Sequence, residues 1–407
     1  MRILWFCGNP GRYKLDKGES ELVVGSWIAS LQEQMSAFYP DCQIALAFPY
    51  KGKEVKDELN GFTYYTIGSS SFKNKFIKRK IEEDYLVRAS FIINDFRPDV
   101  IQVFGSETKL GLIYRITELP IVLHIQGILL PYKDAWYPPS YNSISELIQT
   151  LVSPSKLLNL LISRHYLKIA LSWEKEICSH VKFFMGRTHW DKSVTSYMAK
   201  NYQYYYCSEM LRPIFYENSG KWNYKSHKTY KLSTIISGAV YKGGDVILKT
   251  AYWLKHQGVS FVWNIFGVSD LKWAEKLVGF TCNEVNVQLK GRTNCDVLCE
   301  ELLDSCCYVH LAYIENSPNS VCEAQMLGVP VIAANVGGVS SLIKNGEDGI
   351  LVPSNDAFMT ATSIIEICTN PQLATGISIK GTHSATVRHA PGTITKDLMS
   401  VYQAIVQ

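Results

Sequence analysis

The sequence predicts an α/β protein made of two doubly wound, Rossmann-like domains, and three observations lead there. At 407 residues the chain exceeds what one ordinary hydrophobic core accommodates. Short apolar runs alternate with longer amphipathic ones, and strands separated by helices pair in parallel through right-handed crossovers. The rhythm breaks once and restarts. The expected organisation is an N-terminal domain over 1–212, a linker over 213–231 and a C-terminal domain over 232–392. A closing helix over 393–407 is expected to pack back on the first domain.

Each element has its own reason. Residues 3–7 (ILWFC) are too short an apolar run for an export signal and read as the first strand. Residues 20–38 carry a helical pattern, and 43–48 return to a strand. Strands follow at 100–104, 121–125 and 181–185, with helical stretches near 83–96, 107–118 and 156–179. Pro213, Asn218, Gly220 and mixed charges then interrupt the pattern. The second series places strands at 232–237, 261–266, 285–289, 308–312, 329–333 and 349–352. Helices are expected at 243–258, 271–279 and 294–304. The two domains should face each other across a cleft, with ligands at the carboxyl ends of the strands.

A hydrophobic content of 47% and a charged content of 19% exclude disordered and fibrous classes. A net charge of +4 is too mild for a nucleic-acid binder, and none is expected as a partner. The eleven cysteines contain no C-x-x-C and no paired histidine spacing, so they read as reduced thiols rather than zinc ligands or disulfides. No run of about 18 apolar residues occurs, and a cytoplasmic protein is expected.

Several phosphate signatures are missing. No G-x-G-x-x-G opens the first helix, no G-x-x-x-x-G-K-[ST] occurs, and no Asp-x-Asp pair offers a divalent cation site. Any diphosphate must therefore be neutralised by protein groups, without a metal or other cofactor. The turn after 232–237 offers them: glycines at Gly238, Gly243 and Gly244 allow close backbone approach, Lys242 supplies charge, and a helix begins directly afterwards. A plain strand-to-helix turn with a solvated lysine would look similar.

The strongest segment follows strand 308–312. Glu315 stands at the strand's carboxyl end, and Glu323 lies eight residues on, in the expected first turn of the next helix. Carboxylates accept hydrogen bonds from vicinal hydroxyls, and the N–H groups of Asn319 and Ser320 point at whatever lies before the helix. Ser320 and Glu323 also fit an S-x-x-E capping box, which would explain Glu323 but not Glu315.

With Gly328-Val329-Pro330-Val331-Ile332, the Gly337-Gly338 loop and Gly346-Glu347-Asp348-Gly349-Ile350-Leu351-Val352, this region resembles the family 4 retaining glycosyltransferases of the GT-B fold. In the first domain, Gly186-Arg187-Thr188-His189-Trp190-Asp191 is similar to an element of bacterial polysaccharide-assembly members. The resemblance implies a metal-independent transfer of sugar from a nucleotide-sugar donor to a glycan or lipid-linked acceptor. It implies that Glu323 binds the donor ribose, Glu315 faces the transferred sugar and Lys242, with Gly243, neutralises the departing diphosphate. Asn319 and Ser320 would offer N–H groups to sugar or phosphate. His124 would lie near the reacting carbon, and Gly8 and Gly11 would lie in a loop reaching toward donor and acceptor.

Two departures stand out. Ala239 takes the place of the family's phosphate arginine, so Lys242 acts alone or Arg187 or Arg292 substitutes. Ser340 and Ser341 replace a glutamate after the Gly-Gly loop. Rival readings are another GT-B enzyme, an epimerase or phosphorylase, and a two-lobed solute-binding protein. The export signal expected of the last is missing.

Lys73, Lys75, Lys78, Arg79 and Lys80 interleave with Phe72, Phe76, Ile77 and Ile81, a pattern suited to an anionic bilayer or to a solvated loop. Leu157 to Leu171, with Lys156, Arg164, His165 and Lys168, fit a membrane-facing or a buried helix. Contact with the inner face of the cell membrane is the expectation drawn from both.

Overall fold

The computed structural model describes residues 1–18, 27–68, 77–151 and 153–406. It divides into two compact units. The first comprises Met1–Pro131, Leu158–Arg212 and His389–Gln407, and the second Tyr132–Leu157 and Pro213–Arg388.

The first unit contains an eight-stranded sheet: β1 (Arg2–Phe6), β2 (Gln43–Pro49), β3 (Lys56–Leu59), β4 (Phe62–Ile67), β5 (Val100–Phe104), β6 (Ile121–His124), β7 (Phe183–Gly186) and β8 (Gln203–Tyr206). Their spatial order is β3-β4-β2-β1-β5-β6-β7-β8. The second contains β9 (Tyr230–Ile235), β10 (Phe261–Phe266), β11 (Val287–Gly291), β12 (Cys307–His310), β13 (Val331–Ala334) and β14 (Ile350–Val352), in the order β11-β10-β9-β12-β13-β14. Among the described residues, only β3 and β4 pair antiparallel. Both units are thus Rossmann-like α/β folds with parallel sheets, the class expected from the alternation of runs.

The central strands show why. β5 (VIQVF) and β6 (IVLH) are buried at every position, as parallel strands covered on both faces require. Gln102 is the polar exception within β5, and its amide needs buried partners.

Several elements differ from expectation. β3, β4 and β8 were unread as strands. The first two form a hairpin whose turn, Asn60-Gly61, has both residues at positive φ, 50° and 83°. Segment 213–231 is not a free linker: the helix Pro213–Glu217 buries Phe215, and the buried Trp222 indole donates to the Ser305 carbonyl at 2.7 Å. Residues 132–157, assigned by sequence to the first domain, group with the second unit. Helices Ala357–Thr369 and Pro371–Arg388 fill a stretch for which no element was expected. The last helix, Pro391–Val406, belongs to the first unit, where Ile394, Leu398 and Tyr402 pack with Ile3 and Trp5.

Because Trp222 ties the 213–231 segment into a packed core, Trp222→Ala should destabilise the protein by about 3–5 kcal/mol in urea unfolding. A true linker position would change stability by no more than about 0.5 kcal/mol.

Candidate functional site

The second unit gathers Lys242, Gly243, Glu315, Asn319, Ser320 and Glu323 at the carboxyl ends of β9 and β12. After β9 the chain makes a 3₁₀ turn, Val240–Lys242, and enters helix Gly244–His256 through Gly243 at φ 76°. A Cβ at Gly243 would stand 1.9 Å from the Leu311 carbonyl oxygen, so both backbone conformation and space demand glycine. The Tyr313 N–H donates to the Tyr241 carbonyl at 2.7 Å, which fixes the lysine turn against the segment carrying Glu315.

Glu315 is held from behind. Its carbonyl accepts from the Gly338 N–H at 2.9 Å, and a Cβ at Gly337 would lie 1.9 Å from that same oxygen. The Gly-Gly loop therefore exists to let two backbones touch. In front, the Glu315 carboxylate forms an ion pair and hydrogen bond with Lys242 Nζ, and His310 Nε2 lies 3.4 Å from Glu315 Oε1. Burial alone would raise the Glu315 pKa, but the Lys242 charge and His310 outweigh it and hold the carboxyl at about 2. His310 was missed by sequence reasoning, although it ends its strand just as His124 does.

The helix after Glu315 runs Asn319–Leu327, with Pro318 as N-cap and no side-chain cap. This corrects two readings. Ser320 and Glu323 form no capping box, and Glu323 sits one turn deeper than the first turn, buried in the unit. Asn319 and Ser320 occupy the first two helical positions, whose N–H groups have no intrahelical acceptor. Beside them the Asn316 N–H donates to the Tyr132 hydroxyl at 3.0 Å, and the rings of Tyr132 and Trp136 lie 5.5 and 5.0 Å from that of Tyr241. Among the described residues, no three His, Cys, Asp or Glu side chains form a group that could hold a metal ion.

His124, Gly8 and Gly11 belong to the first unit. His124 ends β6, only 2% exposed, and burial together with the Arg187 charge holds its pKa well below the usual histidine value. Gly11 is required by its φ of 57° and by Gln32 Oε1, 2.0 Å from where a Cβ would stand. A Cβ at Gly8 would meet nothing within 4 Å, so no packing demands glycine there.

In the Gly186–Asp191 element, Thr188 and Asp191 form a capping box for helix His189–Met198. Arg187 is buried, donating to the Ile125 carbonyl at 2.9 Å and pairing with Glu209 at 2.6 Å. Arg187 thus directs its charge at Glu209 within the first unit. Arg292 is exposed in the second unit. Glu209, whose carboxyl burial pushes up, and Glu107, which burial raises to about 7, escaped sequence reasoning. Glu209 follows β8, a strand that was itself unread.

Residues 222–383 match the family described as Glycosyl transferases group 1. A 60-residue stretch is 40% identical to the D-inositol 3-phosphate glycosyltransferase of Rhodococcus jostii, covering 15% of this chain and 13% of that protein. The corresponding protein of Thermobispora bispora is 35% identical over 68 residues, 17% of this chain and 15% of its own length. The chain thus matches only a small part of these curated relatives.

In fold the likeness extends over the whole length of the chain. A sucrose-phosphate synthase from Thermosynechococcus elongatus superposes with a TM-score of 0.71 at 12% identity, covering 99% of both chains. Anabaena HepE in complex with UDP-glucose gives 0.65 at 13% identity, covering 99% of this chain and 100% of that one. Residues 222–383 are thus similar to group 1 glycosyltransferases, and the chain shares the GT-B fold of these solved structures.

Two expectations follow from the geometry. Gly243→Ala should destabilise the second unit by at least about 1–3 kcal/mol, from strain and from collision with the Leu311 carbonyl, as read by thermal unfolding. Glu315 has a folded-state pKa of about 2 against an ordinary 4.5, so its pairing stabilises the fold above about pH 4.5 and is lost as pH falls toward 2. Glu315→Gln should therefore lose less stability than the parent across that interval in an acid titration.

Proposed function

We propose that the chain is a retaining glycosyltransferase of family 4 that moves a sugar from a nucleotide-sugar donor to a hydroxyl of a glycan or lipid-linked acceptor in cell-surface polysaccharide assembly. The observation that carries this reading is the Lys242–Glu315–His310 cluster beside the open N-terminus of helix Asn319–Leu327. Lys242 would exchange its carboxylate partner for the donor pyrophosphate as negative charge develops on the leaving oxygen. The Asn319 and Ser320 N–H groups would add fixed donors, and one such donor is typically worth about 3 kcal/mol to the transition state. Glu315 would accept from hydroxyls of the transferred sugar and Glu323 from the ribose. The departing phosphate would itself help remove the acceptor proton, with no metal and no covalent intermediate.

UDP-glucose is the first donor to test, because HepE, which shares the fold, is described in complex with it. A donor nucleotide at 100 times its dissociation constant should stabilise the protein by about 2.7 kcal/mol, without added metal. Glu323→Ala should abolish that shift, and Glu315→Ala should lower transfer far more than nucleoside diphosphate binding. Loss of activity on adding EDTA would contradict the metal-free mechanism.

We also propose that the protein works at the cytoplasmic face of an anionic membrane. Residues 72, 73, 75 and 76 of the basic run lie outside the described residues, while Lys78 and Arg79 open helix Lys78–Phe96 and pair with Glu82 and Glu83. The helix Pro154–His180 supports the reading better. It buries no residue before Ile169, exposes Leu158 and Leu161, carries Lys156, Arg164 and Lys168, and has no acidic residue before Glu174. No helix of the described residues is long and apolar enough to cross a membrane. Phosphatidylglycerol vesicles should sediment the protein and phosphatidylcholine vesicles should not. The double change Leu158→Glu, Leu161→Glu should abolish sedimentation, and unaltered binding would reject this surface.

A further inference from the structure

Gln102 is a fully buried amide in the middle of an otherwise apolar strand, and neither the donor corner nor the proposed chemistry accounts for it. Its two ends are both engaged. The amide Nε2 lies 3.1 Å from His124 Nδ1, and Oε1 accepts from the Tyr402 hydroxyl. Tyr402 in turn accepts from the Trp5 indole N–H at 2.9 Å. Trp5 and Tyr402 are fully buried, and all four residues belong to the first unit.

The direction of this chain follows from the hydrogens each group owns. An indole nitrogen only donates, so Tyr402 must accept from Trp5. The Tyr402 hydrogen then needs an acceptor, and Gln102 Oε1 is placed to be one. With its oxygen turned to Tyr402, Gln102 presents its NH₂ group to His124, and Nδ1 must accept. Turning the amide over would strand the tyrosine hydrogen in the core, at a cost of about 1–3 kcal/mol. The far side of the ring agrees. His124 Nε2 faces Glu209 Oε1 at 3.9 Å, and Arg187 holds that oxygen at 2.6 Å. A proton on Nε2 suits an acceptor oxygen in front of it, whereas a lone pair there would oppose it.

We propose that Trp5, Tyr402 and Gln102 are positioning residues that lock His124 as the neutral Nε2–H tautomer, so that its Nε2 serves as a hydrogen-bond donor and not as a base. Among the described residues, Nε2 has no hydrogen-bond partner at normal distance, so the donor is unspent. The rings of Trp27 and Phe104, with centroids 5.8 and 5.6 Å from that of His124, restrict its rotation. The relay also gives the last helix, which carries Tyr402, a purpose beyond closing the core. The effect on turnover rests on the proposed function; the tautomer itself does not.

The test is imidazole nitrogen NMR on the full chain labelled with ¹⁵N-histidine, at pH 7.5, alongside donor turnover. The parent should show His124 with unprotonated Nδ1 and protonated Nε2. Tyr402→Phe should leave a mixture of tautomers. With its carboxyl ionised, Gln102→Glu supplies only acceptor oxygens and should move the proton to Nδ1, lowering kcat by about 10–100-fold, the range for losing an orienting partner. Its dissociation constant for UDP should stay within about two-fold. If Gln102→Glu unfolds the protein, the parent spectrum and Tyr402→Phe still decide. A parent spectrum with Nδ1 protonated overturns the relay, and so does a Gln102→Glu enzyme of switched tautomer and unchanged kcat. A correct parent spectrum in a protein that transfers no sugar would leave the relay standing and sink the proposed function instead.

Discussion

The contact between Lys242 and Glu315 organises the second unit. Two opposite charges taken out of water are expensive, and their mutual attraction compensates only when geometry and further partners are supplied. His310 is one such partner for Glu315. The rest is backbone: Gly243 lets the lysine turn touch the Leu311 carbonyl, and Gly337-Gly338 lets a second loop close on the Glu315 carbonyl. Glycines that look like generic loop residues are thus spacers that set the lysine-to-glutamate distance. A site built in this way is poised for exchange. Under the proposed function, an anion arriving at Lys242 would replace one negative partner by another, and His310 would stay beside the carboxylate that is released.

The first unit solves a parallel problem with neutral groups. Its central strands are apolar except for Gln102 and the terminal His124, and polar atoms there must be satisfied in sequence or not at all. Tyr402 reaches Gln102 from the far end of the chain, while Arg187 and Glu209 supply charges on the other side of the histidine. A similar economy explains the Gly186–Asp191 element: Thr188 and Asp191 cap a helix, and Arg187, just before the cap, is turned into the core.

What could be read in the sequence was local. The lysine-glycine turn, the two glutamates and the strand-helix alternation are encoded within short windows, and so are their places at strand ends. What escaped depends on distance along the chain. His310 is an unremarkable strand residue until folding brings it to Glu315 and Lys242. Glu209 follows an edge strand, Gln203–Tyr206, whose four residues bury no side chain and carry no apolar alternation. Segment 213–231 has the composition of a linker, yet one indole, Trp222, reaches the Ser305 carbonyl and ties it down. The Asn60-Gly61 hairpin was legible by its turn pair, but its first strand, Lys-Asp-Glu-Leu, is charged at three of four positions and carries little strand signal. Glu323 was placed one turn too early because Ser320 imitates a cap that Pro318 provides without a side-chain bond.

The most direct measurement of the central claim is a crystal structure of the chain with UDP, grown without divalent metal. The account predicts a pyrophosphate oxygen within hydrogen-bond distance of Lys242 Nζ, the lysine turned from Glu315, and ribose hydroxyls on the Glu323 carboxylate. Nucleotide bound elsewhere, with the Lys242–Glu315 contact undisturbed, would contradict it.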